Sequence, residues 1–327
     1  MLGKVFNRFG EKSPISVMVR GTLERVLGAD RLDAWFARTA QKQYTRTLLF
    51  STVYDILGQV VFRIKPSVRA AYQDHAETAG ASLISVYNKL NGVEPSTSAA
   101  LVRYSATEFQ PLITALDGER SPWLPGYRVT ILDGNCLEAS ERRLKVLRDV
   151  HAGALPGKSL VVYEPAHGLV SEVFPCEDGH AQERSLFGPV LETVQAHDLW
   201  IQDRNFCTCA FLGGLQTRGA AFITRQHAGL PFEVVTSWRT VGRTETGQVA
   251  EQRVQVRDAQ GHPHLFRRIR VKLDQATRDG DRELYLLTNL PQDKASATRV
   301  ARLYRTRWTL ETAFQHLEAY FHSEIHT

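Results

Sequence analysis

Two aspartates in this chain each stand directly after a short apolar run with strand character: Asp133 after "VTIL" and Asp203 after "LWIQ". A carboxylate just past a buried strand is held by rigid backbone yet faces out at the sheet edge, a good place for a metal ligand. The same positions have plainer uses. Aspartate opens turns and caps helices, and "DGN" at 133–135 is a turn signal by itself. A third acid, Glu311, falls in "LYRTRWTLETAF" at 303–314. An acid on a helix beside the two strand ends would complete a set of three carboxylates. Oxygen-only ligands suit Mg²⁺ or Mn²⁺. Two such ions ~3.5–4 Å apart can activate a nucleophile and stabilise the leaving oxygen of a phosphodiester.

The segment that carries Glu311 reads as one amphipathic helix. Leu303, Leu310, Phe314, Leu317 and Phe321 form an apolar stripe at helical spacing. Tyr304, Arg307, Glu311 and Glu318 recur at the same spacing beside it. A helix packed on a core would thus present a phenol, a guanidinium and two carboxylates along its edge.

Other chemistry-bearing residues point to packing and turns. Cys207-x-Cys209 has no second pair at zinc-finger spacing and lies in an expected helix, which suits core thiols. His167 sits in the hairpin-like "EPAHG", and His180 lies beside a helix start. No G-x-S-x-G or P-loop pattern occurs.

The elements that must hold the acids form three blocks. Residues 15 to about 110 have helical periodicity, with Pro66 opening one helix and "NGVEPSTS" leading into another. After Pro122 the runs "YRVTIL", "SLVVYE" and "GLVSEVF" read as strands. They are followed by a helix in "ERSLFGPVLETVQAH", the strand "DLWIQ", a helix in "FCTCAFLGGLQTR" and the strand "AAFITR". That succession is a mixed α/β layer. A β-rich segment follows, with "FEVVTSW", "VAEQRVQVRD", "HLFRRIRVKL" and "ELYLLT", before the last helix. The expected division is 1–115 helical, 116–228 α/β core, 229–288 β-rich insertion and 289–327 the rest of the core.

With "ILDGN", "WIQDRNF" and the helix of Glu311 in this order, the chain resembles a DDE transposase of the bacterial insertion-sequence-four family. The resemblance implies an RNase H-like catalytic core, with Asp133, Asp203 and Glu311 as catalytic metal ligands for Mg²⁺, for which Mn²⁺ can substitute. The family's helix signature is Tyr, two residues, Arg, three residues, Glu, six residues, Lys. This sequence supplies Tyr304, Arg307 and Glu311, but Glu318 stands at the lysine position. Arg225 matches an arginine that holds DNA near the cleavage site, and Tyr304, Arg307 and Trp308 match as DNA contacts. Where some members carry a base-stacking tryptophan, "ELYLLT" offers Leu284, with Tyr285 adjacent.

The resemblance further implies cut-and-paste transposition: binding element ends, cleaving them and joining them to target DNA as a synaptic homodimer. Two rival readings are a truncated DNA-binding relic and a metal-dependent nuclease of the same fold. The stop at "FHSEIHT", just after the glutamate helix, is expected to reflect truncation, because family members usually continue.

Bulk properties agree with a globular DNA-handling protein. Of the 327 residues, 43% are hydrophobic and 23% charged, both ordinary values. No apolar run nears the ~20 residues that span a bilayer. No secretory signal is evident, and the four cysteines suit a reducing cytoplasm; the resemblance implies a bacterial cytoplasm with nucleoid association when DNA is bound. The net charge of +5 is clustered in "ERRLKVLR", "FRRIRVK" and "RVARLYRTR", segments suited to phosphate backbones or to salt-bridged faces.

Overall fold

The computed structural model describes residues 11–42, 47–77, 79–136, 158–176, 183–258, 260–277 and 280–321, without the side chains of 135, 136, 158, 311 and 316–321. Contacts divide the chain into two units, one of residues 1–118 with 316–327 and one of 119–315.

The first unit carries helices α1 (Pro14–Leu27), α2 (Ala29–Thr39), α3 (Phe50–Val61), α4 (Val68–His75), α5 (Leu83–Asn91) and α6 (Pro95–Ala115). Local sequence sets several of their starts. Ser67 and Ser82 accept hydrogen bonds from the backbone of Ala70 and Ser85, capping α4 and α5. Pro95 stands in the first turn of α6, where its missing N–H has no helical partner to lose. Two small cores hold the unit, one around Val53, Ile56, Ala71 and Val86, the other around Trp35, Phe36 and Phe50.

The second unit is built on one sheet. Its strands are β1 (Arg128–Cys136), β2 (Lys158–Glu164), β3 (Leu169–Cys176), β4 (Asp198–Gln202), β5 (Ala221–Arg225), β6 (Glu233–Val234), β7 (Arg239–Thr244), β8 (Gly247–Arg257), β9 (Pro263–Leu273) and β10 (Glu283–Thr288). They run in the order β3-β2-β1-β4-β5-β10-β9-β8-β6, with β7 also on β8. The pairs β1–β4 and β4–β5 are parallel and the others antiparallel. β4 is buried at all five positions, as expected of a central strand covered on both faces. The strands between 229 and 288 continue this sheet, since β10 pairs directly with β5.

Strand alternation sorts the side chains into two cores. Val129, Ile131, Leu199, Ile201 and Ile223 face α9 (Ala297–Arg305), whose Val300, Ala301, Leu303 and Tyr304 join that core. Leu132, Trp200 and Phe222 face the other way, toward α7 (Phe187–Thr193) and α8 (Cys209–Thr217). An α/β sheet with helices on both sides, preceded by a helical region, is the expected RNase H-like architecture.

Four local expectations need correction. The segment at 303–314 is not one helix. α9 ends at Arg305 and α10 (Trp308–Phe321) begins after a turn at Thr306 and Arg307. There the Thr306 amide and hydroxyl both donate to Leu303 O, at 3.1 and 2.6 Å, which draws the backbone into a tighter turn. Asp133 does not follow its strand. β1 runs on through "DGNC" because β2 keeps pairing with it, Asp133 opposite Val161. "FEVVTSW" supplies only the two-residue β6, whereas "RTVGRT" forms β7 with an irregular register at Gly242. Cys207 precedes α8, which Thr208 caps, although its thiol is a buried core group as expected.

One buried ion pair locks the β segment to the start of α9. Arg267 pairs with Glu251, each about one-tenth exposed, and donates to Leu290 O and Ala295 O at 2.8 Å. Breaking such a pair leaves an uncompensated buried charge, at a cost of roughly 3–5 kcal/mol. Glu251→Ala should therefore lower unfolding free energy by about that amount in urea titration. A loss below about 1 kcal/mol would show the pair to be dispensable.

Candidate active site

Pairing of β1 with β4 ends at Leu132 opposite Gln202, so Asp133 and Asp203 come next on neighbouring parallel strands. Ile131 and Ile201 lie in the core beneath α9, and a period of two puts both aspartates on that same face. Arg225 follows the same rule at the end of β5, two residues after Ile223. Three sequence-predicted residues thus sit on one side of the sheet, Asp133 and Asp203 just past the β1–β4 pairing and Arg225 at the end of β5.

The helices bring the others over them. Tyr304, in the last turn of α9, donates its hydroxyl hydrogen bond to Asp203 Oδ1 at 3.4 Å. Arg307, in the turn before α10, donates to Asp133 Oδ2, and both side chains are mostly buried. Burial, reinforced by the charge of Asp203, pushes the Tyr304 hydroxyl well above the ordinary tyrosine range, so it stays a donor at neutral pH. Arg225 pairs with Asp281 at 2.6 Å. Trp308 opens α10 at 51% exposure, so it is no core aromatic.

Asp203, Arg225, Tyr304, Arg307 and Trp308 all line one cavity of about 1040 Å³. Arg204, Glu245, Asp274 and Arg305 line it too, and the sequence reading singled out none of them. Their only signal was charge at a turn or helix face, which most solvated residues share. The backbone of Glu311 lies in α10, but its side chain is outside the described residues, as is that of Glu318. Among the described residues no three His, Cys, Asp or Glu side chains form a group able to hold a metal. The two aspartates offer oxygen donors on one face, a set that fits a hard divalent cation.

Of the remaining candidates, His167 lies in the β2–β3 hairpin turn, its ring 3.5 Å from Glu164. Burial pushes the Cys207 thiol up to about 11, as for an inert core thiol. His180 and the basic run at 141–148 fall outside the described residues. Leu284 packs into the core beneath α9, while Tyr285 stacks with the guanidinium of Arg268, 4.3 Å from its ring centroid.

Two aspartates lie side by side where the β1–β4 pairing ends, beneath a phenol from α9 and a guanidinium from the turn that follows it, on a sheet of RNase H-like architecture. The family model for the transposase DDE domain matches residues 124–326, and the chain belongs to that family. It is a transposase-type DNA-cutting enzyme, and its family uses divalent metal ions. No curated protein matches the chain. No helix among the described residues is long and apolar enough to cross a membrane.

The raised Tyr304 pKa has a stability consequence with a definite sign. Above about pH 10 the unfolded chain loses this proton first and binds fewer protons than the folded one, so stability falls as pH rises. Tyr304→Phe should flatten part of that alkaline loss, read as urea midpoints followed from neutral pH to above pH ~10. An unchanged slope would mean that Tyr304 ionises as freely folded as unfolded.

Proposed function

We propose that this chain is a cut-and-paste transposase of the insertion-sequence-four type, which binds, cleaves and joins the ends of its own element. The observation that carries the reading is the pair of aspartates side by side just past the β1–β4 pairing, facing Tyr304 and Arg307 beside a cavity rich in arginine. Asp133, Asp203 and Glu311 would hold Mg²⁺, or Mn²⁺ in its place. Bound there, the ions would supply Lewis acidity to the nucleophile and to the leaving 3′-oxygen.

The protein's own groups have separable tasks in this reading. Tyr304, kept protonated, donates to Asp203 and fixes its orientation. Arg307 balances the charge of Asp133 and, with Arg225, positions backbone phosphates. Trp308 offers an exposed aromatic face beside the cavity to a sugar or base of the DNA end. Double-stranded element ends and target DNA are the substrates, brought together by a homodimer in the bacterial cytoplasm. The helical region 1–115 is proposed as a separate domain from the core.

A pre-cleaved element end with a free 3′-hydroxyl, supplied with a target plasmid and Mg²⁺, tests this directly. A transposase joins the two, a nuclease of the same fold only cuts, and a DNA-binding relic does neither. Asp133→Asn, Asp203→Asn and Glu311→Gln should each lower joining by about a hundred- to a thousandfold, comparable to loss of a principal electrostatic group. They should leave DNA binding in a gel shift largely intact. Full joining by any one variant would remove that residue from the site.

A further inference from the structure

The arginines around the cavity are already holding carboxylates. Arg302 Nε and Arg305 Nη1, one helical turn apart on α9, each take one oxygen of Glu245, at 2.9 and 3.1 Å. Arg243 pairs with Asp274 at 2.6 Å, and Arg225 with Asp281 at 2.6 Å. Glu245, Asp274, Arg225 and Arg305 all line the cavity that contains Asp203. A carboxylate shared between two guanidiniums presents one negative charge on two oxygens. A phosphodiester presents the same charge through its two non-bridging oxygens, and arginine recognises both groups in the same way.

Glu245 is put there by the fold. It occupies the two-residue turn between β7 and β8, closed by the pairing of Thr244 with Gly247. A side chain at Gly247 would place its Cβ 2.0 Å from Lys272 O, so the turn lies tight against β9. The Asp274 amide donates to Thr246 O at 3.0 Å and ties the β9–β10 loop to the same turn. The side chains of Arg302, Arg305 and Glu245 are 46%, 42% and 58% exposed. Pairs so open to water are weak and exchangeable, unlike the buried Arg267–Glu251 pair.

We propose that Glu245 is an internal stand-in for a DNA phosphate, holding Arg302 and Arg305 in the free chain and yielding them to the backbone of a bound duplex. The proposal rests on the DNA-binding reading above and adds a contact pair and a built-in competitor to it. The bridge holds the two guanidiniums against one carboxylate, so the duplex meets a preset pair of donors. It also sets a threshold, because a ligand must outcompete the carboxylate. Weak polyanions are rejected and a duplex with regularly spaced phosphates is accepted.

The test is fluorescence anisotropy of a short labelled duplex of arbitrary sequence with the full chain, its Glu245→Gln variant and a charge-matched control. Glu233→Gln serves as control, since Glu233, on β6, pairs with Arg257 at the end of β8, and neither lines the cavity. Glu245→Gln should tighten binding about three- to tenfold, within the range expected for releasing two weak surface pairs. Glu233→Gln should not. In an Arg302→Ala/Arg305→Ala background the gain from Glu245→Gln should vanish. That background should also lower the salt slope of binding by about 1.8, for two lost phosphate contacts.

Equal tightening by both glutamine variants would reduce the effect to net charge and overturn the proposal. Tight wild-type binding that Glu245→Gln leaves unchanged, or weakens together with thermal stability, would make the bridge a mere staple. The DNA-binding reading would survive either result. No duplex binding by any of the proteins would sink both, whereas binding seen only with Glu245→Gln would support both.

Discussion

The position of the helices over the strand ends depends on a buried guanidinium. Arg267 lies in the β segment, yet it grips the backbone carbonyls of Leu290 and Ala295 that lead out of β10 into α9. A charge at that depth is tolerable only when neutralised, and Glu251 on the neighbouring strand neutralises it. The strands between β5 and α9 therefore act as part of the core sheet. They carry the arginine that sets where α9 begins, and so how Tyr304 meets Asp203.

Charge elsewhere in the unit is arranged by depth. "FRRIRVK" looks like a phosphate-binding run, but Arg267 is spent on Glu251 and backbone, while Arg268 and Arg270 lie against the rings of Trp238 and, for Arg268, Tyr285. "RVARLYRTR" is divided along its helix. Arg299 donates to Trp123 O, Arg302 and Arg305 to Glu245, and Arg307 to Asp133. The arginines of these two described clusters are first of all paired residues. Their availability to a polyanion depends on how exposed each pair is, which sequence composition does not report.

The legible part of the fold was the part governed by strict alternation and burial. "VTIL", "LWIQ" and "AAFITR" are near-continuous apolar runs, as parallel strands covered on both faces must be, and all three became central strands. Because a strand has period two, the acids and the arginine at their ends could share a face, and the two cores show which one. What could not be read depended on partners. β7 has the composition Arg-Thr-Val-Gly-Arg-Thr, with no apolar alternation, and is held by its pairing with β8. β1 runs through a turn-forming "DGN" because β2 continues to pair with it. Glu245 and Asp274 reach the cavity, and Asp281 reaches Arg225, through turns and loops whose contacts are set by sheet register.

The break between α9 and α10 shows why one missed turn matters to the site. In an unbroken helix, Tyr304 and Arg307 are separated by three residues, about 4.5 Å along the axis, and lie within 60° of each other. Their targets sit on two adjacent strands about 4.8 Å apart, side by side across the sheet. Two like charges so placed need separate neutral or positive partners, and a single straight edge would crowd both partners along one line. The Thr306 hydroxyl, bonded back to Leu303 O, tightens the chain just there, so that the phenol serves Asp203 and the guanidinium serves Asp133. α10 then starts at Trp308, with Leu310 buried as its anchor in the same core. Leu303, Leu310 and Phe314 of the apolar stripe do meet in one core, but the polar edge beside it is interrupted: one turn of non-α backbone assigns each acid its own partner.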